Sequence, residues 1–404
     1  MSDEKDLNKG KLKDNNNEVE DEYEKDLEDE ITDNIEDVEP DQEEFFNIIK
    51  KLKDLDDIGN YFSTLHKGLI RLRMILLISE TKDSNEIINE FNSNFIVSKS
   101  NDLYKIEARL EEGSTKPSIT SFLGYLWLLP KSSSFIMFTF TTKKNLMRYL
   151  FTSFINKSKL ISPLWVTQDM TIKLINHLRS NYNASLKKWK GEYSPLNNNK
   201  SKIRPFIERE IYYSGNDAYD SLNELNDLYG VNVEAFTATL FDLGFFSFNR
   251  KFATFVLRQG KLETFISISN WLFENSDTYM KEVRKFKKEL YYSIFSNRSL
   301  KISNDLSIDF YQKLSNEILN EIVKRIKSST DLRLQFAIDF DESANIIYNL
   351  KIFNLNSKGS FKVIISKNSA HVFQIFNANF ISAIPFLDII DFCQPKNEIF
   401  VQVQ

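Results

Sequence analysis

With 404 residues, 42% of them hydrophobic and 34 of them Phe, the chain holds enough apolar material for a large core and for two domains. Its single cysteine, Cys393, excludes an intrachain disulfide and a cysteine-built zinc site. The formal net charge of −5 conceals a polarised chain: residues 1–45 carry twenty acids against five bases, while 143–209 carry fourteen Lys and Arg against three acids.

Residues 1–45 have too few large apolar side chains to offset their ordering entropy, so a disordered acidic tail is expected. Such a tail can lie on the basic stretch and compete with an anionic partner. Residues 1–30 show no apolar secretory core, and the expected location is intracellular and cytoplasmic. From Phe45 the pattern changes. Phe45, Phe46, Ile48, Ile49 and Leu52 predict a short amphipathic helix, and Tyr61, Leu65, Leu69, Leu72, Ile75 and Leu76 predict a longer one over 60–79. A third helix over 85–91 carries Asp83, Glu86 and Glu90 at or near it, which phosphate would repel and which argue against a groove-reading helix. Segments 95–98 and 103–110 predict a hairpin around Ser100-Asn101-Asp102.

Two apolar stretches, 117–142 and 372–391, are interrupted by turn and polar residues, so both are read as core and not as membrane spans. The first reads as strands 120–129 and 135–142. Helices are predicted over 144–156 and 167–180, the second with Thr167 as N-cap, joined through Ser162-Pro163-Leu164-Trp165. A flexible loop over 191–202 marks the expected domain boundary, giving a tail 1–45, a domain 46–198 and a domain 199–404. Beyond it come a strand at 203–213, a helix at 216–229 capped by Gly230, and strands 231–241 and 245–257. A helix from 262 continues into 281–288, and another covers 306–327. The clearest amphipathic strand is 332–341, followed by strands 346–354, 360–366, 371–376 and 398–404. The class is α+β, with antiparallel sheets packed against amphipathic helices.

No G-x-x-x-x-G-K, G-x-G-x-x-G, G-x-S-x-G or H-E-x-x-H motif occurs. Function must then come from the charge pattern. Lys143, Lys144, Arg148, Lys187, Lys188, Lys190, Lys200, Lys202 and Arg204, interleaved with Trp165, Trp189 and Tyr193, have the chemistry to neutralise phosphates and stack on unpaired bases. The expectation is a non-enzymatic protein that contacts single-stranded or structured nucleic acid. One alternative is a scaffold docking an acidic protein, the chain's own tail included. Another is a hydrolase in which Asp339 and Asp341 meet Glu208 and Glu210 across a sheet to hold Mg²⁺. Only that last alternative calls for a cofactor or metal.

Overall fold

The computed structural model describes residues 48–64, 71–108, 122–130, 132–140, 149–193, 210–241, 244–285, 289–295, 298–303, 305–310, 313–342, 345–376, 380–393 and 400–403. The tail predicted over 1–45 lies outside them. Asp37–Gln404 forms one compact unit. Its described elements are seven helices and antiparallel sheets, the α+β class that the patterning implies.

An eleven-stranded sheet is built first. Helix α1 (Leu55–Thr64) precedes β1 (Leu72–Ser79), and α2 (Ser84–Asn92) leads into β2 (Phe95–Ser100), β3 (Leu103–Ala108), β4 (Phe122–Leu128) and β5 (Ser134–Thr139). A π-turn at Tyr149–Phe154 and a 3₁₀ turn at Ile155–Lys157 then reach β6 (Ile161–Pro163) and α3 (Gln168–Tyr182). Next come β7 (Ser185–Tyr193), β8 (Glu210–Ser214), α4 (Ala218–Tyr229), β9 (Val231–Leu240), β10 (Gly244–Asn249), β11 (Thr254–Gly260) and α5 (Leu262–Lys285). The strand order is β2-β3-β4-β5-β1-β11-β10-β9-β7-β8, with β6 beside β1. Because β7 pairs with β9 over eight register positions, this sheet draws on residues from both sides of 198.

The expected helix over 60–79 is corrected: the described helix is Leu55–Thr64, and 72–79 is a strand buried at every position. The run Leu-Arg-Met-Ile-Leu-Leu-Ile-Ser is apolar at both helical and alternating spacings. A strand at the middle of a sheet covered on both faces has that signature, and periodicity alone does not separate it from a buried helix. Its two faces feed two cores. Leu72, Met74, Leu76 and Ile78 join Phe138, Phe255, Phe246, Phe248 and Trp189 under α1, α3, α4 and α5. Ile75 and Leu77 face the other way, as do Phe135 and Met137, their neighbours in β5. There the Phe91 ring of α2 meets Phe135, Phe95 and Phe154 at centroid distances of 6.2, 6.2 and 4.8 Å.

The C-terminal part has a sheet of its own. A hairpin, β12 (Glu289–Phe295) and β13 (Arg298–Ser303), precedes β14 (Asp305–Asp309), α6 (Asn316–Ser328), β15 (Leu332–Glu342), β16 (Asn345–Asn354), β17 (Ser360–Ile365), β18 (Ser369–Phe376), α7 (Phe380–Cys393) and β19 (Phe400–Val403). The order is β15-β16-β17-β18-β14-β19. The predicted helix over 306–327 therefore begins only at Asn316; Leu306 and Ile308 are buried strand residues. Helix α7, unassigned by the sequence, contains Pro385. Among the described residues, no helix is long and apolar enough to cross a membrane.

One topology occurs twice. A strand, a helix and a four-strand meander whose last strand returns beside the first describe both β1-α2-β2-β3-β4-β5 and β14-α6-β15-β16-β17-β18. Each is followed by helical turns, at 149–157 and at α7, and these two segments contribute to the two sides of the cleft described next.

Candidate functional site

Strand alternation decides where the basic stretch points. On β7, Leu186, Trp189 and Gly191 turn inward around bulges in the β7–β9 pairing, leaving Lys188 and Lys190 on the other face. Trp189 is 1% exposed, its Nε1 donates to the Ala218 carbonyl at 3.1 Å, and its ring stacks on Tyr213. Trp165 is 4% exposed, and its Nε1 donates to Asp388 Oδ1 at 2.7 Å. Both were expected to stack on bases. They are core residues, because each finds an internal partner for its one polar atom. Tyr193 is half-buried and packs against the same core.

The lysines are partly committed too. Lys190 Nζ stands 2.7 Å from Glu210 and 3.7 Å from Glu234, and Lys187 Nζ donates to Asn216 Oδ1 at 3.3 Å. Lys188 is half-buried opposite Ser214. Lys157 and Lys159, near β6, sit three to four strand spacings from β7, about 15–20 Å away. Lys143, Lys144, Arg148, Lys200, Lys202 and Arg204 lie outside the described residues.

The carboxylate alternative needed two pairs meeting across one sheet. Asp339 and Asp341 occupy β15, opposite Tyr348 and Ile346, whereas Glu210 sits on β8 of the other sheet and pairs with Lys190. That expectation is corrected for Glu210; Glu208 lies outside the described residues. Among the described residues, no group of three or more His, Cys, Asp or Glu is placed to hold a metal.

The structure gathers a different set of charges. Asp388 and Asp391 are three apart on α7, so they share a face. They meet Arg250, in the turn between β10 and β11. That turn is fixed by Phe252 N–H donating to Asn249 Oδ1 at 3.1 Å, by Arg250 N–H donating to the Glu234 carbonyl at 2.8 Å, and by the left-handed backbone of Ala253 (φ 44°). Arg250 Nη1 lies 3.3 Å from Asp391 Oδ2 and 3.8 Å from Asp388 Oδ1, and donates to the Val166 carbonyl at 3.2 Å. The first backbone N–H of α3, from Gln168, donates to Asp391 Oδ2 at 2.9 Å. A carboxylate at a helix N-terminus is favourably placed. Asn232 Nδ2 donates to the Phe392 carbonyl at 2.9 Å, and the Arg325 guanidinium lies over the Phe392 ring at 3.7 Å, so α7 is held along its last turns.

Burial dominates the electrostatics. Asp391, 2% exposed, has its carboxyl pushed up to about 7, with Arg250 and the Gln168 N–H pulling the other way. Burial also raises Asp388, against Arg250, Trp165 and the charge of Lys251, and the nearby charge of Asp331 adds to the rise. The Cys393 thiol is buried and pushed to about 12, which leaves it unreactive.

Beside this cluster lies a half-open cleft of about 130 Å³. Its lining includes Leu164, Trp165 and Phe252, the cations Arg250 and Lys251, Ile381, Ile384, Pro385 and Asp388 of α7, and Asp331 and Asn356. Cavities of about 150 Å³ accept a benzene-sized guest. The sequence did contain a signal for this place: Asp388 and Asp391 are the only charges in the apolar stretch 372–391.

Residues 169–252 match the model of AF_0896_M, described as a family middle domain. The match runs from the first turn of α3 to the turn that carries Arg250. An uncharacterized protein of Archaeoglobus fulgidus is similar at 26% identity over 223 residues, covering 54% of this chain and 56% of that protein. The chain thus spans little more than half of that relative. No solved structure matches.

Proposed function

We propose that this is a binding protein whose ligand site is the cleft between α7 and the Trp165–Phe252 wall. One observation carries the reading: the cleft is concave and mostly apolar, yet a carboxylate is fixed in its wall by Trp165 and Arg250. Apolar walls with a few oriented polar groups are the usual composition of a small-ligand pocket. Ligand-observed NMR with small aromatic and aliphatic fragments tests it. Fragments should show saturation transfer from the wild type and lose it in Ile384→Trp, which fills the space; equal transfer in both proteins would discard the cleft.

A second reading keeps the basic stretch, now on an anionic polymer such as single-stranded nucleic acid. Tyr212 favours it, being 63% exposed on strand β8, with Lys190 opposite it and Lys188 two residues along β7. An exposed ring beside cations is a stacking platform. Lys187→Glu with Lys188→Glu should then weaken binding of a fluorescent single-stranded oligonucleotide at least tenfold at low salt. Unchanged anisotropy curves would remove this reading.

A further inference from the structure

We propose that Arg250 couples the cleft to a buried proton site: when Asp391 takes up a proton, the guanidinium passes to Asp388, and the Trp165 wall moves with it. The coupling regulates the cleft, and its effect on a ligand rests on the cleft being a ligand site.

The chain of contacts is short. Arg250 Nη1 stands 3.3 Å from Asp391 Oδ2 and 3.8 Å from Asp388 Oδ1, and that second oxygen accepts from Trp165 Nε1 at 2.7 Å. Asp391 is 2% exposed, whereas the Asp388 side chain is 40% exposed and lines the cleft with Trp165. A single guanidinium nitrogen thus serves a buried carboxylate and an open one. Arg250 Nε is buried and has no acceptor among the described residues, so the guanidinium holds a donor in reserve for whichever carboxylate keeps its charge.

The two carboxylates differ in what else holds them. Asp391 is faced by Arg250 from the β10–β11 turn, by the Gln168 N–H and Asp169 from α3, and by Asp388 along its own helix. Arg325 and Glu321 of α6 act on Cys393, two residues further on. Asp388 has Arg250, Trp165 and the charge of Lys251 in favour of its ionised form, and Asp331 against it. Burial pushes the Asp391 carboxyl up to about 7, so its charge comes and goes near neutral pH. Above that pH an ionised Asp391 competes for Arg250. Below it the neutral carboxyl makes the weaker bond, and the charge-assisted contact with Asp388 wins. Losing the neighbouring charge of Asp391 and gaining Arg250 both favour the ionised form of Asp388. Drawn fully onto Asp388, the guanidinium pairs the carboxylate in the cleft wall, so less unpaired charge stands beside Leu164, Phe252 and Ile384. A neutral apolar ligand then binds better at low pH.

Indole N–H resonances of the full chain, followed by NMR from pH 5.5 to pH 8.5, decide the matter, with the Trp165 signal assigned through Trp165→Phe. That signal should titrate with a midpoint near pH 7 in the wild type and stay flat in Asp391→Asn, while the Trp189 signal, from the core beneath α4, holds its position and reports that the variant is folded. Arg250→Lys keeps a charge beside Asp391 but not the fork that reaches both carboxylates; it should flatten the Trp165 titration too, and it guards against a folding defect in the first variant. A flat wild-type signal would overturn the coupling. So would an unchanged titration in Asp391→Asn, which would make the proton that of Asp388. Benzyl alcohol, neutral throughout, should bind the wild type at least about fivefold more tightly at pH 5.5 than at pH 8.5, and equally at both in Asp391→Asn. Equal wild-type affinity at the two pH values would overturn the regulation while leaving the cleft reading intact. Failure of benzyl alcohol and every other fragment to bind would instead discard the cleft reading, with the Trp165 titration still judging the proton coupling by itself.

Discussion

Arg250→Met should lower stability by about 3–5 kcal/mol at pH 9 and by only about 1–2 kcal/mol at pH 5. The asymmetry comes from Asp391, which Arg250 contacts at 3.3 Å in a site where the aspartate is 2% exposed. Removing the guanidinium strands a buried carboxylate. At low pH that carboxylate takes up a proton and the loss is small. At high pH the folded state must keep the proton against a rising gradient, at about 1.4 kcal/mol for each pH unit above 7. Urea unfolding at the two pH values, with unchanged m, measures it. An equal loss at both would mean that Arg250 contributes packing and not charge.

The wild type should carry the same linkage over a lower range. An acid whose folded pKa stands above its unfolded value holds its proton longer when folded. Its contribution is complete below the unfolded pKa of about 3.9 and is lost as pH rises through the folded value. For Asp391 that window runs from about pH 4 to about pH 7. A rise from 3.8 to about 7 corresponds to at most about 4 kcal/mol across the window. Asp391→Asn, which cannot ionise, should flatten the slope there.

The contrast between what the sequence announces and what it withholds follows the range of the interactions. Thr167 was legible as an N-cap, and its Oγ1 does accept from Met170 N–H at 3.2 Å, because capping involves residues three apart. The Asn101 turn, with φ 47°, and the long helix from Leu262 were legible for the same reason. Strand β1 was not, since its two-sided burial depends on β5, β6 and β11, which arrive from elsewhere in the chain. The site was hidden more deeply. Arg250 and Asp391 are 141 residues apart, and Trp165 and Asp388 are 223 apart. Nothing in the basic stretch hints that its tryptophans are claimed by the core, because a lysine on either side of Trp189 says polar while the strand period turns the ring inward.

Trp189→Ala is where that distinction becomes measurable, with an expected loss of about 3–5 kcal/mol in stability. A Trp standing on the surface to stack on bases would contribute within about 0.5 kcal/mol, and its removal would instead weaken nucleic-acid binding. The buried ring packs against Tyr213 and Phe236, its register partners on β8 and β9, and against the core beneath α4. Alanine would open a cavity between strand and helix and leave the Ala218 carbonyl without its indole donor. Trp189→Phe separates the two contributions: it restores most of the volume but not the N–H, so its loss should fall to about 1–2 kcal/mol. Denaturant unfolding of the three proteins gives the ordering, wild type above Phe above Ala. Stabilities within about 0.5 kcal/mol of one another would place the indole outside the core and return Trp189 to the candidates for a binding face.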